Sequence, residues 1–358
     1  KSLGLSSVPS SPTLRQRLDS ARGALNRILL EESAKVVRRF APAITPSEGD
    51  LVAIDVDVSP FDNSETKKEG VSWTYKNYNG YAPIFAYVGK EGYLANLDLR
   101  PGSDHCQKGT KEFLERTLGY ARLMSNAPFL VRMDSGNDSL ENIKVCRKKK
   151  THYIIKRNLR KETKEEWLKI AMECGEVEEP RPGKQVWRGE QHVKRAGIDE
   201  PLRIIFRVTR RTTDTNGQVR MIPEVEVETY WTSLDVDTVR VIELYHAHGT
   251  SEQFHSELKT DLDLERLPSG KFQTNGLVLL LGMIAYNLLR LIGQESLQWN
   301  DAPIRNRPFR RRIRSVMQDL IYLACRMAKH SRQLLLSFGR RCPWFNTWQR
   351  IYLRLAPT

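Results

Sequence analysis

The chain has little cysteine and no recognisable cysteine pattern. Its five cysteines are scattered over 358 residues and include no CxxC pair. This scarcity excludes a disulfide-rich secreted scaffold and a zinc ribbon. We therefore expect reduced thiols and a cytoplasmic location.

Long hydrophobic runs are also lacking. The most apolar stretch, residues 277–286 (LVLLLGMIAY), has ten residues, whereas a helix needs about twenty to span a bilayer. This length predicts a buried helix and no membrane partner. The chain shows no secretory signal and begins with Lys1 rather than Met, so we expect that an N-terminal part has been removed.

Acidic residues are outnumbered by basic ones. The chain has 57 Lys and Arg against 43 Asp and Glu, a net charge of +14. This excess favours a polyanionic partner, because each cation docked on a phosphate releases counterions; an inert basic surface is the alternative. The densest basic segment, RNRPFRRRIR, offers Arg310, Arg311 and Arg312 as phosphate contacts, unless it is a solvated turn.

The hydrophobic pattern predicts an α/β fold with a mixed sheet. After an N-terminal helical segment (1–46), the pattern predicts a strand, a hairpin, a helix and a strand, at 51–58, 81–102, 111–124 and 128–136. We place the first part of the α/β core at 47–139.

The hydrophobic pattern changes after the core segment. Apolar residues alternate with polar or basic ones in four strand-like segments, at 151–157, 184–189, 202–211 and 219–233. The last two are joined by Asn216-Gly217, a strong hairpin signal that brings Arg210 and Arg211 close to it as DNA contacts. We predict an antiparallel β subdomain inserted at 140–236, a second core part at 237–300, and a basic helical region at 301–358.

Two aspartates follow predicted strands. Asp57 ends the strand in IDVDVS and Asp134 ends the strand in RMDSG, and carboxylates at the carboxyl ends of neighbouring strands converge on one crevice. Asp55 points to the same face of its strand and competes with Asp57, which we prefer because it is nearer the strand end. Asp134 taken alone could simply cap a turn.

A third acid lies in the helical segment YHAHGTSEQFHSELK. At about 100° per residue, Tyr245, His248, Glu252 and Lys259 fall at about 0°, 300°, 340° and 320°, which is one stripe. A solvated charged face would show the same spacing. Together with Asp57 and Asp134, however, Glu252 could hold two Mg²⁺ ions. A zinc site at His248, Glu252 and His255 lacks the HExxH arrangement.

The spacing Tyr245-x2-His248-x3-Glu252-x6-Lys259 resembles the Y-x2-R-x3-E-x6-K signature of DDE transposases of bacterial insertion sequences, in the insertion-sequence 4/1380-like superfamily. Other segments resemble the same family in the expected order, from about residue 50 to 295: IDVDVS, GYAPIFAYVG, VRMDSG and RLPSGKFQTNGLVLLLGMIAYNLLRLIG. The chain departs from the signature at His248, where the family has arginine. Histidine titrates near neutrality and offers a weaker phosphate contact.

The resemblance implies an RNase H-like fold and a metal-binding triad of Asp57, Asp134 and Glu252. The metal would be two Mg²⁺ ions, with Mn²⁺ as a substitute. Tyr245, Lys259 and, more weakly, His248 would contact double-stranded DNA. The chain would cut transposon ends, through a DNA hairpin, and join them to target DNA as a homodimer in the bacterial cytoplasm, associated with the nucleoid.

A DNA hairpin requires a distorted end, which a flipped base stacked on an aromatic ring would stabilise. Trp187 or Trp231 could supply that ring, although we favour packing on the sheet for each of them and do not assign them to the site. Two other functions remain open. One is a catalytically inactive DNA-binding descendant of a transposase, and the other is an RNase H-like nuclease without strand transfer.

Overall fold

The computed structural model describes residues 9–21, 23, 25–330, 333–339 and 341–355, so residues 1–8 and 356–358 of the predicted terminal segments lie outside the described residues. The helices are α1 (Ser11–Ala21), α2 (Asn26–Phe40), α3 (Thr110–Met124), α4 (Leu140–Lys148), α5 (Lys164–Cys174), α6 (Thr238–His246), α7 (Ser251–Ser256), α8 (Phe272–Glu295), α9 (Ile313–Val316) and α10 (Phe345–Leu355). The strands are β1 (Val52–Val58), β2 (Phe61–Asp62), β3 (Ser72–Trp73), β4 (Asn79–Tyr81), β5 (Ile84–Val88), β6 (Tyr93–Asp98), β7 (Phe129–Met133), β8 (His152–Lys156), β9 (Glu176–Arg181), β10 (Lys184–Arg195), β11 (Ile198–Thr213), β12 (Val219–Thr232), β13 (Cys325–His330) and β14 (Gln333–Phe338).

A nine-stranded sheet forms the centre of the protein. Its order is β6-β5-β1-β7-β8-β12-β11-β10-β9. Strands β1, β7 and β8 are parallel, while β5 and β6 form an antiparallel hairpin beside β1. The predicted α/β class with a mixed sheet is confirmed.

Strand β1 is buried on both faces, which is why its sequence VAIDVDV is nearly continuously apolar. One face packs with Phe113 and Leu114 of α3. On the other face, Phe85 and Tyr87 of β5 pack with Phe254 of α7 and with α8. Helix α6 covers the same face further along the sheet, against β7, β8 and β12. The sheet therefore lies between two helical layers, and α6 and α7 cross the face that carries Asp55 and Asp57.

The predicted β insertion extends the central sheet. Strands β9 to β12 are antiparallel, and β12 joins the core by pairing with β8. Strand β8 itself pairs in parallel with β7 after the crossover helix α4, so it belongs to the core and our boundary at residue 140 is too early. Helix α5 was not predicted, although Thr163 and Glu166 form a capping box at its start.

The C-terminal region is not wholly helical, and that prediction is wrong. Strands β13 and β14 pair as an antiparallel hairpin between α9 and α10. Their apolar runs are short, and a short apolar run does not distinguish a strand from a helix by its period.

Helix α8 contains the apolar run singled out in the sequence. Within the described part of the chain, it is the one helix long and apolar enough to cross a membrane by length and composition, and half of its most apolar stretch is buried inside the protein. Leu279, Met283 and Tyr286 pack in the core, and Asn287 bonds the backbone of Leu94 through both side-chain atoms. A single helix of this kind is weak evidence for a membrane span.

Candidate active site

A cleft of about 880 Å³ lies where β1 and β7 end. Its lining brings together six residues singled out in the sequence: Asp57, Asp134, Tyr245, His248, Glu252 and Lys259. The helical segment that carries the last four is continuous but irregular, with a 3-10 turn at Ala247–Thr250 and a π-helical turn at Glu257–Asp261. The irregular helical segment nevertheless presents all four side chains to one cavity.

Asp57 projects from the end of β1 and is held in place by two hydrogen bonds. Its Oδ1 accepts from the backbone N–H of Val58 at 2.8 Å, and its Oδ2 lies 3.2 Å from Nε2 of His255. The other ring nitrogen of His255 lies 2.9 Å from the Tyr87 hydroxyl. Burial acts to raise the pKa of Asp57, but the hydrogen bond and charge of His255, together with the charge of His248 and the Val58 N–H, outweigh it, and the pKa falls below its usual value. Asp57 is therefore an oriented carboxylate.

Asp134 follows β7 at the start of a short 3-10 turn. Its Oδ1 accepts a hydrogen bond of 2.6 Å from the Asn137 side chain. Burial, and then the negative charge of Asp57, raise the pKa of Asp134 above its usual value. The two carboxylates therefore repel each other across the cleft, and a cation between them would relieve that repulsion.

Asp55 has a different environment from Asp57. Its side chain is 3% exposed and accepts two hydrogen bonds, of 2.6 and 2.7 Å, from the guanidinium of Arg132. Arg132 also donates to the carbonyl of Leu244 at the end of α6. Asp55 does not line the cleft. Of the two aspartates on β1, Asp57 is the one that lines the cleft.

His248 is engaged inside the protein. Its Nδ1 lies 2.9 Å from Oδ1 of Asp55, and the ring is buried although it borders the cleft. Burial acts to lower the pKa of His248, but the charge and hydrogen bond of Asp55, together with the charge of Asp57, outweigh this effect, and the net shift is upward. The predicted phosphate contact at His248 does not fit this environment: the histidine completes a buried Arg132–Asp55–His248 network.

The other residues of the segment differ in exposure. Glu252 is exposed, and its side chain makes no hydrogen bond or ion pair among the described residues. The Lys259 Nζ donates to the carbonyl of Pro60 at 2.5 Å, and burial lowers its pKa. Tyr245 is largely buried beside Tyr230, with ring centroids 4.6 Å apart.

Over the ranges the structure describes, no three His, Cys, Asp or Glu side chains are close enough to hold one metal ion. Asp57, Asp134 and Glu252 thus share the cleft without converging.

The predicted arginine contacts lie outside the cleft. Arg211 forms ion pairs with Glu224 and Glu226 of β12, and Arg210 is half-buried on the same strand. Arg311 is buried against Trp344 and paired with Asp319, which contradicts its assignment as a phosphate contact.

Arg310 and Arg312 connect the arginine-rich segment to the helical segment that carries Glu252. Arg310 bonds Gln253 at 2.7 Å and contacts Glu257, and Arg312 pairs with Asp261 at 2.9 Å. Arg290 of α8 also pairs with Glu257, inside the core. These cations are largely satisfied by protein carboxylates, because acidic side chains distant in sequence fold against them.

Neither tryptophan proposed for base stacking is accessible. Trp231 is buried, donates to Asp138 at 2.9 Å and lies under the guanidinium of Arg157. Trp187 is buried among the residues packed against α5. Both tryptophans therefore pack on the sheet.

Sequence reasoning missed several residues of the cleft, among them His255, Lys156 and Tyr75. His255 was weighed only as a zinc ligand, although its position three residues after Glu252 indicates the same helix face. Lys156 ends β8 and borders the cleft, and Tyr75 enters it from the β3–β4 turn. The signal for Lys156 was its place at a strand end, next to the ends that carry the aspartates.

The fold and the cleft define an α/β protein with paired carboxylates at strand ends and cationic side chains around them. The chain belongs to the family described as Transposase DDE domain group 1, whose profile matches residues 5–358. No curated protein matches the chain. It is similar to a solved structure, described as a cryo-EM structure of piggyBac transposase synaptic complex with hairpin DNA, at 13% identity and a TM-score of 0.34, over 69% of this chain and 47% of that one. The chain thus spans about half the length of that transposase.

Proposed function

We propose that this DDE transposase cleaves DNA at transposon ends, through a DNA hairpin, and transfers the cut strands to target DNA in cut-and-paste transposition. The observation that carries the proposal is that Asp57, Asp134 and Glu252 line one cleft together with Lys259 and Tyr245. Family membership supports a role in DNA transposition, and the net charge of +14 suits a DNA partner.

The donor set suits Mg²⁺, with Mn²⁺ as a substitute. All three donors are carboxylates, which hard cations prefer, and no cysteine lines the cleft among the residues the structure describes. Because Asp57 and Asp134 repel each other, a cation bound between them would be stabilising. Two ions, when bound, would activate the attacking oxygen and stabilise the leaving oxygen. Asp57 and Asp134 would hold them, and Glu252 would complete the set on binding.

Residues of the chain would prepare the cleft for that chemistry. His255 orients Asp57 and is itself fixed by Tyr87. Lys259 and Lys156 place cations at the cleft wall, where each would attract a DNA phosphate. Tyr245, packed on Tyr230, forms a rigid part of the same wall.

The finer assignments belong to the same proposal. The order β6-β5-β1-β7-β8, with β5 and β6 antiparallel to their neighbours, supports an RNase H-like core. The signature spacing supports membership of the insertion-sequence 4/1380-like group. His248 stands where that signature has arginine, and we assign it a structural role. We place the protein in the bacterial cytoplasm as a homodimer when two ends are synapsed.

One observation favours a catalytically inactive, DNA-binding descendant as the second candidate. The three acids do not converge, and His248 is turned to Asp55. A wild-type protein that binds transposon-end DNA but never cleaves it in Mg²⁺ or Mn²⁺ would support this candidate against the first.

The test compares cleavage by the wild type with that by Asp57→Asn, Asp134→Asn and Glu252→Gln, on DNA that carries the element's ends. We expect all three to lose Mg²⁺-dependent cleavage. The matched control is Asp263→Asn, which changes an exposed carboxylate outside the cleft and should leave cleavage unchanged. Undiminished cleavage in the three variants would refute the proposed site.

Two further measurements separate the alternatives. Mn²⁺ should raise the melting temperature of the wild type, because a ligand that binds only the folded state stabilises it, and the rise should disappear in Asp57→Asn. Pre-cut ends mixed with target DNA should give strand-transfer products; cleavage without them would identify a simple nuclease.

A further inference from the structure

A β-hairpin with exposed aromatic side chains stands at the cleft. It comprises β3, β4 and the turn between them, residues 72–81, and we call it the aromatic hairpin. Trp73 and Tyr75 are 59% and 60% exposed. Tyr75 and its neighbour Lys76 line the cleft together with Asp57 and Asp134. Large exposed rings beside a charged cavity are more typical of a binding surface than of packing.

The aromatic hairpin is fixed to the segment that directly follows Asp57. The hydroxyl of Tyr75 donates to the carbonyl of Val58, and that of Tyr78 donates to the carbonyl of Pro60, each at 3.0 Å. A Cβ atom at Gly80 would overlap the carbonyl oxygen of Phe61, so only glycine allows this close approach. The Tyr75 ring is therefore exposed but held, and a ligand would meet it already ordered.

The turn itself is also well defined. Asn77 adopts a left-handed conformation with φ of 63°, which asparagine tolerates better than most residues. Thr74 bonds the carbonyl of Tyr78 through both its backbone N–H and its hydroxyl, at 2.8 and 2.9 Å. This turn presents Tyr75 and Lys76 on its outside, with the Lys76 Nζ 5.6 Å from the centre of the Tyr75 ring.

An aromatic ring next to an ammonium group matches the chemistry of an unpaired nucleotide. The base stacks on the ring whatever its identity, and the cation attracts the adjoining phosphate. The tryptophans that could have filled this role from the inserted strands are buried. Resting on the proposed function, we propose that the aromatic hairpin is a stacking platform for an unpaired base at the DNA end, with Tyr75 and Trp73 as the stacking rings and Lys76 at the phosphate.

The test measures DNA binding by the full chain and requires no catalysis. The probes are three duplexes of the same sequence: one blunt, one with a short thymidine overhang, and one whose overhang has abasic nucleotides. The abasic overhang keeps the phosphates and removes the bases. We expect the wild type to bind the thymidine overhang about tenfold more tightly than the abasic one, within the range reported for base–aromatic stacking.

The variants assign that preference to residues. Tyr75→Ala and Trp73→Ala should each reduce it, and the double variant should abolish it, whereas Tyr75→Phe should retain it because the ring remains. Lys76→Ala should weaken binding to both overhang duplexes equally and make that binding less dependent on salt. The control is Tyr322→Ala, which removes an exposed ring outside both the aromatic hairpin and the cleft and should keep the preference.

Two results would overturn the proposal. One is a wild type that binds thymidine and abasic overhangs equally, and the other is a preference that survives the double variant. Should Tyr75→Ala fail to fold, Trp73→Ala carries the test alone, because the Trp73 side chain makes no hydrogen bond among the described residues. A protein that shows the preference but never cleaves DNA would contradict the proposed function while supporting the platform.

Discussion

Asp55 and Asp57 lie two residues apart on β1 and should respond in opposite ways to one chemical change. We expect Asp55→Asn to destabilise the protein strongly, because it removes the charge that faces the buried Arg132 and His248. We expect Asp57→Asn to leave the stability almost unchanged and to abolish DNA cleavage. The contrast tests the assignment of Asp55 to the framework and Asp57 to the reaction.

The magnitudes follow from burial. The side chains of Asp55 and Arg132 are 3% and 5% exposed, and breaking a buried pair costs about 3–5 kcal/mol. With an unfolding entropy of about 2.1 cal/mol/K per residue, a chain of 358 residues has about 0.75 kcal/mol/K, so the melting temperature should fall by about 4–7 °C. Asp57→Asn loses one bond to His255 but also the repulsion with Asp134, and should change stability by less than about 1 kcal/mol.

Thermal unfolding followed by circular dichroism, with cleavage assayed on the same preparations, measures both effects. The expected pattern is a large fall in melting temperature for Asp55→Asn alone and a loss of cleavage at native stability for Asp57→Asn. A stable but inactive Asp55→Asn, or an active Asp57→Asn, would show that we have exchanged the two roles.

Three other predictions concern the buried groups. The pKa of His248 is raised in the folded protein. Its stabilising contribution is therefore complete below its unfolded pKa of about 6.5 and is lost as the pH rises through the folded value. The difference in melting temperature between the wild type and His248→Gln should accordingly shrink with rising pH. Glu257→Gln leaves Arg290 buried without its charge partner and should lower the free energy of unfolding by about 3–5 kcal/mol in denaturant titrations, with partial recovery in Glu257→Gln/Arg290→Met. Burial raises the pKa of Cys146 to about 12, so iodoacetamide at pH 8 should label the exposed Cys174 and spare Cys146 until the protein is unfolded.

Much of the core could be predicted because its signals are local. The apolar strands β1 and β7 end in Asp57 and Asp134, and parallel neighbours bring such ends together. The spacing from Tyr245 to Lys259 placed four side chains on one face, and they do line one cleft. Each of these predictions needed only a short window of sequence.

The rest depends on partners that are distant along the chain. The pattern alone shows His248 as a cation at a signature position, but its carboxylate partner lies 193 residues away. Likewise the pattern alone shows Arg312 as a free cation, but its partner Asp261 lies 51 residues away. The spacing of residues indicates the direction in which a side chain points, but it does not identify the side chains that will pair with it in the folded protein.

The π-helical turn at Glu257–Asp261 has a consequence for the length of the signature segment. A π-helical turn holds more residues than an α-helical one and is commonly found at functional sites. If one residue were deleted from the π-helical turn, the turn could close as an ordinary α-helical turn and the helix beyond it would keep its orientation. If one residue were deleted from the ordinary helix between Glu252 and Glu257, Lys259 would rotate by about 100° relative to Glu252 and leave the cleft wall. The number of residues between Glu252 and Lys259, as much as their identity, therefore keeps the acid and the lysine in the same cavity.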